Sequence, residues 1–162
     1  LAKDQKEGKP EDEEQGKEDG HDDKDFADLL QELRILLQGV QVMTAFLVIL
    51  PFSQGFKEID EVEKWVFLAT FICSISGLIF FSAPAAVHRL ARPLKKRERF
   101  KDFSTRMTIV GLVPASLSLV LATQLVVDHV LGADMSYIAA GVVLLLIAIL
   151  WWALPLALRE KI

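Results

Sequence analysis

Four stretches of the chain, at roughly residues 35–53, 65–87, 107–127 and 137–157, contain no Asp, Glu, Lys or Arg. Each is about the 20 residues needed to cross some 30 Å of hydrocarbon. In that medium a lone segment satisfies its backbone only by closing its own hydrogen bonds, which makes it a helix; transmembrane strands are about half as long and alternate in polarity. The expected fold is an all-α membrane protein, a four-helix transmembrane bundle whose short connections make successive helices antiparallel neighbours.

The charge lies outside these stretches. Residues 1–25 hold eleven Asp or Glu and five Lys, with no aromatic residue. Such a segment buries too little apolar surface to offset its ordering entropy, so a disordered acidic tail is expected over 1–25. The tail accounts for −6 of charge against −4 for the whole chain, which leaves the remainder at +2 and gives no case for nucleic-acid binding. The membrane domain is expected over 26–158 and a short cytoplasmic C-terminus over 159–162. The chain starts with Leu, not Met; a fragment or a lost true start is expected, and no signal-peptide pattern is visible. The single cysteine, Cys73, falls within an apolar stretch and offers neither a disulfide framework nor a metal cluster.

Orientation follows from the connections, because Lys and Arg are held back on the cytoplasmic side. Between the second and third spans stand Arg89, Arg92, Lys95, Lys96, Arg97, Arg99, Lys101 and Arg106, whereas the other two connections are net acidic and hold only Lys57 and Lys64. The basic connection is therefore expected inside, against anionic lipid, and with an even number of spans both termini join it. Trp65 and Tyr137 would then mark the outer interface, and Trp151 and Trp152 the inner one.

Ahead of the first span, Phe26, Leu29, Leu30, Leu33, Leu36 and Leu37 recur at helical spacing among polar residues. This pattern fits a juxtamembrane amphipathic helix at the interface, or simply an extended first helix. On the same helix Gln31, Arg34, Gln38, Gln41 and Ala45 fall within about 80° of one another. Gln41 sits about 10 Å deeper than Arg34, out of easy reach of the surface, so the stripe is expected to point into the protein. Glutamines there serve either as interhelical hydrogen-bonding groups or as a ligand or permeation site; Arg34 either snorkels to the interface or contacts a ligand.

Faces suited to receive the stripe are Thr70, Cys73, Ser74, Gly77 and His88 on the second helix, and Thr108, Gly111, Ala115, Ser118 and Ala122 on the third. Small residues at this spacing let helix backbones approach closely. A weaker version on the fourth helix is Tyr137, Gly141, Ala148 and Trp152. His88 and Arg89, just past Pro84, suit a structural or lipid-headgroup role, or contact with a substrate or partner. No metal, cofactor or catalytic residue is expected: there is no phosphate loop, nucleophile elbow or metal-ligand spacing, and no carboxylate inside any span.

The segments ELRILLQGVQVMTAFLVILPFSQGF, FLAT, SAPAAVHRL and WWALPL resemble a family of small four-spanning bacterial membrane proteins of unknown function, common in actinobacteria. The resemblance covers about residues 26–158 and implies a bacterial cytoplasmic-membrane protein, with no activity, substrate or cofactor. The functional expectation is a non-enzymatic interaction or accessory subunit, partnered by its own copies or another membrane protein. The alternative is a small permeation or solute-binding protein with its site at Arg34, Gln38 and Gln41, and His88 nearby.

Overall fold

The structure, a computed structural model, describes the backbone of residues 10–57, 59–90 and 97–159, and the side chains of 27–57, 59–90 and 99–158. Four long helices account for nearly all of it. They are α1 (Pro10–Ile49), α2 (Glu61–Leu90), α3 (Arg97–Leu131) and α4 (Ala133–Ile147), the last continued by a π-helical turn (Ala148–Ala153) and α5 (Leu154–Arg159). Segments Ala27–Phe52, Glu61–Leu90, Arg99–Leu131 and Ala133–Leu158 are long and apolar enough to cross a membrane. The expected spans 65–87, 107–127 and 137–157 lie within these segments, and 35–53 overruns the first by one residue.

Two differences arise at the N-terminal end. The backbone of residues 10–25, expected to be irregular, is the start of α1. Pro10 suits a first helical position, and the acidic residues at 11–14 sit where the helix dipole favours negative charge. Residues 1–9 lie outside the described residues. Residues 26–49 are likewise one uninterrupted helix, so of the two readings of this segment the structure has the extended first helix.

Connections are short and specified locally. α1 ends at Ile49 and passes into a 3₁₀ turn (Leu50–Phe52) that contains Pro51, where the Ser53 N–H donates to the Leu50 carbonyl at 3.0 Å. α2 opens with a reciprocal capping box: the Glu63 N–H donates to Asp60 Oδ1 at 2.8 Å, and the Asp60 N–H to Glu63 Oε2 at 2.9 Å. Gly132 alone separates α3 from α4, with φ of +86°, a conformation that other residues rarely adopt.

The core lies along α2 and α3. Gly77 and Gly111 let the two backbones meet: a Cβ on Gly77 would touch Ala115 at 3.4 Å, and one on Gly111 would lie 2.7 Å from the Phe81 ring and 2.9 Å from Phe80 Cβ. The pairs Gly77/Ala115 and Phe81/Gly111 run in opposite directions along the two chains, so these helices are antiparallel, as expected. α1 packs on α2 by the same logic: Thr44 meets Ser74, while Leu33 and Val40 join Phe81 and Ala115 in one buried cluster.

The four helices pack together, but the first and last do not pack directly on each other among the described residues. α4 packs on α3, α1 packs on α2 and only slightly on α3, and no Cα of α1 comes within 8 Å of one in α4 among the described residues. α1 and the turn after α4 instead flank a shared groove, lined with apolar side chains, over α3. α4 also turns a different face inward. Ser136, Ala140 and Ile147 are buried, while the expected Tyr137, Gly141 and Ala148 are exposed and Trp152 is half-buried. Its small residues occupy two adjoining stripes, and Ser136 and Ala140 leave less to cover than Tyr137 does.

Candidate functional site

α1 has two stripes with the same spacing. Leu33, Val40 and Leu47 are buried. Gln31, Arg34, Gln38, Gln41 and Ala45 are all exposed, about 130° away round the helix. The stripe therefore points out of the protein, opposite to expectation. Periodicity correctly placed these residues on one face; the choice of which face packs inward went to the stripe with the larger aliphatic side chains, and Thr44 supplied the polar contact that the glutamines were expected to make. Thr44 Oγ1 lies 2.6 Å from Ser74 Oγ and 2.8 Å from the Val40 carbonyl.

No hydrogen bond or ion pair joins Arg34, Gln38 or Gln41 to another side chain among the described residues. Within the segment Ala27–Phe52, Gln41 stands eleven residues before the far end, about 16 Å at 1.5 Å per residue. That is close to half the hydrocarbon thickness, where an amide has neither water nor headgroup to bond.

His88 and Arg89 sit elsewhere. α2 runs through Pro84 without ending and continues to Leu90. His88 is half-buried on the α2–α3 seam, its ring 5.8 Å from that of Phe100, while Arg89 is exposed. The stripe faces away from both helices, so His88 is not brought beside Arg34. The end of the molecule that holds Arg89 also exposes Arg99, Lys101 and Arg106; Arg92, Lys95 and Lys96 lie outside the described residues.

The interior is close-packed and nearly self-satisfied. Thr70 donates to the Val66 carbonyl at 2.7 Å and Ser118 to that of Ala115 at 2.8 Å, both wholly buried. Ser104 is also wholly buried, and its hydroxyl has no partner among the described residues. A groove of about 250 Å³ opens between α1, α3 and the π-helical turn, walled by Ile35, Gly39, Met43, Phe81, Leu112 and Trp151, none of them charged. Trp151 owes its place to Pro155, which has no N–H to donate and whose ring crowds the carbonyl four residues back. The ladder widens there, with the Leu154 N–H bonding to Ile149 five residues earlier.

Sequence reasoning missed the outward direction of the stripe, the π-helical turn and the lone Ser104 hydroxyl. The D-x-x-E pattern at Asp60 and Glu63 and the position of Pro155 were the available signals for the cap and the turn; Ser104 had none. Among the described residues no group of three or more His, Cys, Asp or Glu is placed to hold a metal ion.

Compared with known proteins, the chain matches over residues 15–155 the model of a family of unknown function, DUF6328. No curated protein and no solved structure matches it.

Proposed function

The chain belongs to the DUF6328 family, whose function is unknown, and we propose on physical grounds that it is a non-enzymatic integral membrane protein that acts by associating with another membrane protein through the outer face of α1. One observation carries this reading: two amides and a guanidinium stand in a row on the uncovered side of a helix that is long and apolar enough to span a bilayer. Polar side chains at such depth are costly against lipid and turn toward protein or water.

The protein sits in the bacterial cytoplasmic membrane with the basic end inside, both termini on that side, and Arg89, Arg99, Lys101 and Arg106 against anionic headgroups. A solute or permeation site needs Arg34, Gln38 and Gln41 to converge on a cavity. None of the three lines the groove beside them, which is apolar.

The reading is tested by purifying the tagged full chain in mild detergent beside its Gln38→Leu/Gln41→Leu variant. The variant should remain folded and lose whatever membrane protein accompanies the parent. Identical companions for both would refute the assignment of this face.

A further inference from the structure

We infer that the partner of this face is a second copy of the chain, docked in parallel about a two-fold axis that runs along the membrane normal; this rests on the association proposed above. Gln31, Arg34, Gln38, Gln41, Ala45 and Val48 alternate at spacings of three and four, and all six are exposed. That is a repeat of 3.5 residues, which keeps one seam against a neighbouring helix through a shallow left-handed crossing. The opposite side of α1 repeats the pattern in Leu33, Leu36, Val40, Met43 and Leu47, and that seam is already covered by α2 and α3. The helix is built to be gripped on two sides, and the chain itself grips one.

The chemistry of the open seam selects its occupant. Copies inserted by one route share one orientation, so a two-fold interface brings each residue opposite itself at equal depth. A glutamine amide carries donors and an acceptor together, and two of them at the same level can each donate one N–H to the other's carbonyl. Gln38 and Gln41 thus find partners in their own copies, whereas a different protein would have to supply matching groups at both levels. Ala45, one turn beyond, is small enough to let the backbones close. Arg34 lies about 10 Å from Gln41 toward the basic end, where its long stem lets two guanidinium groups part toward the interface. The outer surface of α4 and the turn after it looks different, exposing Leu144, Leu145, Leu146, Ile149 and Leu150 with nothing polar among them.

Single cysteines in a Cys73→Ala background, oxidised with copper phenanthroline in native membranes, test the assignment. Cysteine at Gln38, Gln41, Ala45 or Val48 should give disulfide-linked dimer several-fold above that at Ile35 or Phe46, which are exposed on α1 off the seam, or at Leu145 on α4. The Ala45→Cys chain should lose its dimer when Gln38 and Gln41 are both Leu and keep it when Gln41 is Asn. A yield that is uniform over all sites overturns the inference. An adduct with a different protein at the seam also overturns it, while leaving the association reading standing; no adduct of any kind at the seam defeats both.

Discussion

The α2–α3 seam and the outer face of α1 contain similar small and polar residues put to opposite use. On the seam, Gly77, Gly111 and Ala115 bring backbones together, and the buried Thr70 and Ser118 hydroxyls bond to carbonyls of their own helices, so that, Ser104 apart, its buried hydroxyls ask for no further partner among the described residues. On α1, Gln38 and Gln41 extend beyond the backbone with no group to meet them. In a membrane, burial of apolar surface does not separate inside from outside. What separates these two regions is whether their polar atoms are already paired.

The steepest way to break that contrast is to fill the seam. Gly111→Leu places a side chain where the Phe81 ring and Phe80 Cβ already are; we expect a loss of about 1–3 kcal/mol or more, read as thermal stability in detergent. Gly39→Leu, where an added Cβ meets nothing within 4 Å, is the matched control and should change little. Equal stability of the two variants would show that the seam is not close-packed.

Next comes the direct side-chain hydrogen bond between Thr44 of α1 and Ser74 of α2. Thr44→Val and Ser74→Ala should each cost about 0.5–1.5 kcal/mol, and the double variant less than their sum, because both remove the same 2.6 Å contact. Strict additivity in a thermal or denaturant series would mean that the two hydroxyls do not act on each other.

Gln38→Leu/Gln41→Leu should then leave the stability of the isolated chain within about 0.5 kcal/mol, since neither amide bonds within it. A drop comparable to that of Thr44→Val would place the glutamines inside the fold.

The comparison of the two ends of the molecule calls for no change in stability at all. Cysteines at the exposed Ser53 and Asp134 should react with an impermeant thiol reagent added outside sealed cells, and one at the exposed Thr105 should not. Labelling at Thr105 would invert the orientation. Ser104 and Ser136 are unsuitable, being buried.

Much of this was legible in the residues. The uncharged runs marked the four membrane-length helices, and the small-residue faces expected to receive the α1 stripe, with Gly77 on α2 and Gly111 and Ala115 on α3, are instead where α2 and α3 meet. The side of α1 that turns inward was not legible, because helical arithmetic yields relative angles only. Leu33 and Gln38 offered competing stripes, and a lipid surround does not penalise an exposed leucine. Reading Gln41 as necessarily internal assumed that one chain must satisfy all of its own polar groups. The lack of direct packing between α1 and α4 escaped for a related reason: spacing shows which faces can meet, not which helices become neighbours.

The wide turn at Ala148–Ala153 also bears on how this chain can vary in length. It holds one residue more than an α-helical ladder there would use. Deleting one residue within it lets the ladder close as an ordinary helix while Ser136, Ala140 and Ile147 keep their places against α3. The same deletion between Ala140 and Ile147 would swing everything beyond it through about 100° and turn a lipid-facing leucine toward α3. Insertions and deletions should therefore collect after Ile147 and be rare before it, which makes the last turns of the helix the stretch where the chain can change length without repacking its core.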